Sequence, residues 1–155
     1  TDRFMMKLSM GFPSREEEMT ILQTYSRTDP LEELQPVMTK EQLLALKEEA
    51  KRVYVHPLVA GYLADLAAET RKQDRVAMGI SPRGTLALMR AAKALACMEG
   101  RDYLIPDDVK TLAPDVLSHR LVFSYGGGRQ EEARGLVEEI LSRVPVPVED
   151  FGRRG

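Results

Sequence analysis

The 155-residue chain reads as a mainly α protein, a helical bundle preceded by one orphan β-strand. Three observations predict this. Several stretches carry apolar residues at helical spacing, most of them open on a recognisable N-terminal cap, and only one stretch alternates cleanly enough to be a strand.

The strand comes first. Phe4, Met6, Leu8, Met10 and Phe12 fall on one face of residues 4–12, with Lys7, Ser9 and Gly11 on the other. Pro13 ends it, and Ser14 with Glu17 forms a Ser-x-x-Glu capping box that opens a helix over 15–26. Residues 28–38 carry Pro30 and Pro36 and read as a connector. Thr39 and Gln42 repeat the cap pattern at the head of a second helix, with Leu43, Leu46, Ala50 and Val53 as its expected buried positions. His56-Pro57 restarts the register, placing Val59, Tyr62, Leu63, Leu66 and Thr70 on one face. A polar run over 71–75 and Gly79 then mark a loop.

Ser81 is a helix cap and Pro82 a first-turn proline, tolerated because its missing N–H would have had no partner there. The helix they open carries Leu88, Ala92, Leu95 and Ala96 on its apolar side and closes at Gly100, a left-handed stop. Pro106, Asp107 and Asp108 start a short helix through Leu112, its carboxylates near the positive end. Ala133, Leu136, Val137, Ile140, Leu141 and Val144 make a last amphipathic helix between the Gly126–Gly128 connector and Pro145 and Pro147. Residues 148–155 are expected to be a loose tail.

An isolated strand leaves backbone N–H and C=O groups without partners. Residues 121–125 are a candidate short second strand. The favoured reading is that the first strand belongs to a sheet in a preceding domain, so that a chain starting at Thr1 is expected to be a piece of something larger.

Composition narrows the function classes. The 22 basic and 24 acidic residues give a net charge of -2, which disfavours generic nucleic-acid binding. No run approaches the roughly 18 apolar residues of a spanning helix, so no membrane role is expected. Cys97 is the single cysteine, too few for a disulfide or a cysteine metal cage, and a reducing, cytoplasmic setting is expected. It reads as a packing residue. His56 and His119 stand far apart without helix-spaced ligand partners, so no metal site is expected; Glu16, Glu17 and Glu18 are explained by the dipole of a first turn. No Gly-x-x-x-x-Gly-Lys-Ser/Thr phosphate loop is present, since Lys110-Thr111 follows Val109 and no lysine follows Gly128.

Two arginines suggest a site. Arg3 directly precedes the strand, and Arg83 occupies the first turn of the well-capped helix, with Arg90 and Lys93 on roughly the same side. A basic stripe on a helix is commonly a solvated face. A cation in a first turn, however, opposes the helix dipole, and an anion would repair that; an arginine fork holds phosphate oxygens in two places at once.

Asp2-Arg3-Phe4, then Lys7 to Ser14 (Lys-Leu-Ser-Met-Gly-Phe-Pro-Ser) with Glu16–Glu18, Gly79-Ile80-Ser81-Pro82-Arg83, Gly100 to Tyr103 with Pro106 to Lys110, and Leu117 to Leu121 (Leu-Ser-His-Arg-Leu) occur in an order that resembles the C-terminal part of a MoxR-type AAA+ ATPase. The resemblance extends to about Pro147. It implies that residues 1–13 are the last strand of an α/β nucleotide-binding core, 14–113 its helical lid domain and 114–147 a helical extension of that lid. It further implies that Arg3 is an arginine finger reaching a neighbouring subunit's γ-phosphate and that Arg83 is the sensor-2 residue. Arg83, Pro82 and Arg90 are then the candidate nucleotide-binding positions. ATP and Mg²⁺ are the implied ligands of a full-length protein; the phosphate loop and Mg²⁺-holding acidic motif are absent from this chain, which by itself is expected neither to hydrolyse ATP nor to bind it tightly. Family members are chaperone-like ATPases that form rings, often hexameric, and act on other protein complexes, commonly with von Willebrand factor A domain partners. Two other readings compete: a docking module that uses Arg90, Lys93 and the last helix, and the lid of a related chelatase or helicase.

Overall fold

The computed structural model describes residues 3–27, 29–125, 130–149 and 151–152. Its elements, in chain order, are α1 (Arg15–Tyr25), α2 (Lys40–Arg52), α3 (Pro57–Arg71), β1 (Val76–Met78), α4 (Pro82–Met98), α5 (Pro106–Leu117), β2 (Val122–Phe123) and α6 (Gln130–Arg143). The chain divides into two compact units, one of Leu8–Ala45 and one of Thr1–Lys7 with Leu46–Gly155.

The larger unit holds the core, with α3, α4, α5 and α6 packed about Tyr62, Leu66, Ile80, Leu88, Leu104 and Leu136. Helical periodicity located this face well. Val59, Tyr62, Leu63, Leu66 and Thr70 of α3 are all buried, as are Ala133, Leu136, Val137 and Ile140 of α6. Gly100 has φ 72°, the left-handed stop expected after α4. Between α4 and α5 the chain is locked by Asp108, which accepts from both Arg101 guanidinium nitrogens (2.5 and 2.7 Å) and from the Ile105 N–H (3.0 Å). Tyr54 bridges the same loop, donating to the Asp102 carbonyl at 2.7 Å and accepting from Leu104 at 2.9 Å.

Several expectations are corrected. Residues 4–12 are irregular rather than a strand. No described segment lies alongside to complete a ladder, and a strand without a ladder has no backbone partners. The start of this segment is held instead by single bonds: Lys7 N–H donates to Asp115 O at 2.9 Å, and the Phe4 carbonyl accepts from His119 Nε2 and from Arg120. The strand suspected over 121–125 is real but short. It is β2, antiparallel to β1 in a region read as loop. Helix α5 does not stop at Leu112: it runs through Pro114, because burial of Ala113, Val116 and Leu117 outweighs the roughly 3 kcal/mol cost of an interior proline. Within α2, Leu43 and Leu46 are exposed, and the burial expected of that face is confined to Val53 just beyond the helix end.

Phe151 falls in the stretch read as a loose tail but is buried, its ring edge-on to His56 at 5.9 Å. Asp150 and residues 153–155 of that stretch lie outside the described residues, as do the Gly126–Gly128 connector and Asp2 of the opening motif.

Candidate functional site

The entry into α4 is built around a single buried hydroxyl. Thr70 Oγ1 donates to Ala67 O at 2.7 Å and accepts the Ile80 N–H at 2.9 Å, while Arg71 Nε donates to Ile80 O, also at 2.9 Å. Ile80 itself is fully buried. A Cβ on Gly79 would lie 2.8–2.9 Å from atoms of Arg71 and Thr70, so only glycine permits this close approach. Ser81 Oγ then caps α4 by accepting from Gly84 N–H at 3.3 Å, and Pro82 fills the first turn. Each residue of Gly79-Ile80-Ser81-Pro82 thus contributes to fixing the backbone that carries Arg83, whose side chain remains exposed.

Arg120 supplies the second half of the framework. This arginine is buried; Nε donates to Val116 O at 2.8 Å and Nη2 to the carbonyls of Phe4 and Met5 (2.5 and 3.1 Å). Its stem crosses α4 at Gly84, where a Cβ would stand 2.8 Å from Ile80 Cγ2 and 3.1 Å from Arg120 Cδ. Arg120 therefore ties the segment that bears Arg3 to the helix that bears Arg83.

The result is a concavity of about 510 Å³ lined by Arg3, Arg83, Arg90 and Arg120, with Met5, Leu86 and Ala87 as its apolar walls. Among the described residues no carboxylate lines it. Arg3, Arg83 and Arg90 are exposed and make no ion pair with a described residue. The exposed guanidinium groups of Arg3, Arg83 and Arg90, gathered without a counter-charge among the described residues, repel one another, and a multiply charged anion with several oxygens relieves that repulsion while using their planar forks.

The sequence-predicted residues divide accordingly. Arg3, Arg83 and Arg90 come together. Pro82 is absent from the lining and serves the helix start, and Lys93 faces a different groove. His119 does what a structural histidine does, with Nε2 against Phe4 O at 3.1 Å. Sequence reasoning missed Arg120. An arginine in the apolar run Leu117–Leu121 was its signal, together with a glycine one position after Arg83. Among the described residues no cluster of acidic, histidine or cysteine side chains forms a metal site, and no helix is long and apolar enough to cross a membrane.

Residues 68–143 match the AAA lid domain family. The chain is 42% identical over 151 residues to YeaC, an uncharacterized protein of Bacillus subtilis, covering 96% of this chain and 47% of that one. It is 36% identical to chaperone MoxR1 of Mycobacterium tuberculosis, over 94% of this chain and 41% of the relative. The crystal structure of a proposed ATPase from Cytophaga hutchinsonii superposes with a TM-score of 0.82 at 28% identity, covering 95% of this chain and 48% of that one. The bundle and these likenesses define the class, the helical lid of a AAA+ protein. Within it the chain corresponds, over nearly its whole length, to the C-terminal, lid-bearing portion of MoxR-type AAA+ proteins. It spans slightly under half the length of the relatives it matches.

Proposed function

We propose that this lid presents Arg3 and Arg83 to the terminal phosphates of an ATP molecule in an assembled AAA+ ring, Arg3 as arginine finger and Arg83 as sensor 2, with Arg90 as a further phosphate contact. The observation that carries this reading is the shared concavity: Arg3 and Arg83, eighty positions apart, line one hollow that carries no carboxylate among the described residues. They would therefore serve the same nucleotide, and if Arg3 reaches a neighbour's γ-phosphate, Arg83 reaches it too. Charge accumulates on phosphate oxygens during γ-phosphoryl transfer, and a positioned guanidinium is worth about 10³–10⁵ in rate in other NTPases, or roughly 4–7 kcal/mol. Arg120 is a positioning residue that holds the Arg3 segment against α4.

Mg²⁺ does not fit this hollow, whose lining offers it no oxygen-bearing side chain; in the full-length protein its ligands would come from the nucleotide-binding core. An arginine mounted on α4 gains its contact only when phosphate is present, which makes the lid a lever from nucleotide state to conformation. Chaperone-like maturation of partner complexes, in a cytoplasmic, hexameric ring with von Willebrand factor A domain partners, is our biological reading of that lever.

In the full-length protein, Arg83→Ala and Arg3→Ala should each lower ATP turnover at least about tenfold with the fold intact. Wild-type turnover in both variants would overturn the assignment.

A further inference from the structure

Beside the arginine concavity lies a second groove, about 480 Å³, between the end of α2 and the middle of α4. Its floor is apolar, formed by Ala50 and Met89, and its rim carries Lys47, Lys51, Arg90 and Lys93, with no carboxylate in the lining among the described residues. Lys51 has a partner outside the lining, Glu48, at 2.5 Å, in a pair whose side chains are both well exposed. Lys47 and Arg90 pair with no described acid. Lys93 is half-buried, and its ammonium donates to the Lys51 carbonyl at 2.6 Å, a neutral oxygen in the last turn of α2. Burial lowers its pKa, as expected for a cation that has lost water without gaining a counter-charge.

We propose that this groove docks an acidic segment of a partner polypeptide, with carboxylates on the rim cations and one apolar side chain on the Ala50–Met89 floor. Charge complementarity favours this occupant. Four cations on a chain of net charge -2 form a local concentration against the overall balance. The floor favours a polypeptide over other anions, because inorganic phosphate gains nothing from an apolar surface and nucleobases find no aromatic ring in the lining on which to stack. Exchange of Lys51 from Glu48 to an incoming carboxylate costs little, since both side chains of that pair are largely in water, which screens their attraction.

The groove is separable from the nucleotide reading because Lys47, Lys51 and Lys93 do not line the arginine concavity; only Arg90 borders both. The test leaves Arg90 intact and needs no nucleotide. A fluorescein-labelled peptide EELEELE is titrated with the 155-residue chain and followed by anisotropy, beside QQLQQLQ, EEGEEGE and a short oligo(dT). The acidic leucine peptide should bind at least about tenfold more tightly than each of the three, and Lys47→Glu with Lys93→Glu should remove most of that binding while circular dichroism stays native. Should the double variant lose structure, Lys47→Gln, on an exposed residue, is expected to weaken binding by about threefold. Equal binding of the glutamine peptide, tighter binding of oligo(dT), equal binding of the glycine peptide, or unchanged affinity in a folded charge-reversed or Lys47→Gln variant would each overturn the proposal.

Discussion

The two compact units of this chain are written in the same helical code and reach opposite outcomes. In Leu8–Ala45 no described residue is buried. Met19, Ile21, Leu22 and Tyr25 of α1 and Leu43 and Leu44 of α2 are all largely exposed. What specifies helix there is local: Ser14 and Glu17 satisfy one another's backbone N–H groups at the head of α1, and Thr39 and Gln42 do the same at the head of α2. In the larger unit the same spacing of apolar residues is buried, and α3 to α6 share one core. Caps and periodicity decide where a helix starts and which side is apolar. Whether that side carries stability depends on what covers it, and helices of 11–13 residues are marginal without such cover.

The sharpest way to break this contrast is a matched pair of truncations. Leu88→Ala empties a site that is 1% exposed and should cost about 2–5 kcal/mol in urea unfolding of the chain. Leu22→Ala removes the same atoms from a side chain that is 66% exposed and should stay within about 0.5 kcal/mol of wild type. Comparable losses in the two variants would mean that the smaller unit has a core of its own.

A smaller effect is expected within the larger unit at Asp108. Replacing it with Ala leaves the Ile105 N–H without its acceptor and Arg101 without its fork partner, but Arg101 retains 23% side-chain exposure and can turn to water. The expected cost is about 2–3 kcal/mol, below the full penalty of a buried orphan charge. Arg101→Ala should cost at least as much as Asp108→Ala, because it leaves the buried Asp108 carboxylate without its counter-charge and with only its bond from Ile105. The reverse order would show that the cap, rather than the ion pair, holds the loop.

The same contrast explains how much was legible in advance. The apolar faces of α3 and α6 were readable because a 3.6-residue period maps directly onto burial once neighbouring helices exist. The alternation over residues 4–12 was equally clean, but alternation describes only the faces of a strand, and the ladder partner is a nonlocal fact that no local pattern encodes. Of the β1–β2 ladder only β2 was suspected, within 121–125; β1 and the pairing were unreadable for the opposite reason, since elements of three and two residues, more than forty positions apart, leave no period to detect. The end expected at Leu112 fell short because packing of Ala113, Val116 and Leu117 carries α5 through Pro114 despite a local penalty. At the site, Arg83 could be found because cap and proline fix its place in a first turn. Arg120 could not, since its role comes from reaching the backbone of Phe4 and Met5 across more than a hundred residues.

The smallest effect concerns the caps and separates the two units by pH. The Glu17 carboxylate accepts the Ser14 N–H at 2.7 Å, and this bond, with a further contribution from the Ser14 hydroxyl, holds its pKa below the ordinary value of 4.5. The folded carboxyl therefore takes up its proton less readily than the unfolded one. Its contribution to α1 is complete above that ordinary value and is lost as the pH falls through the lowered one. The cap of α4 is built differently: the Ser81 hydroxyl accepts the Gly84 N–H, and the first turn carries no acidic residue. Cα secondary shifts of Glu16 to Met19 should thus decline on acidification below the ordinary carboxylate range while those of Thr85 to Leu88 hold. Glu17→Gln should flatten the α1 profile, because the amide oxygen can still accept from Ser14 but carries no titrating proton. A helix α1 that keeps its shifts through this range, or an α4 that loses them first, would separate α1 helicity from its capping box.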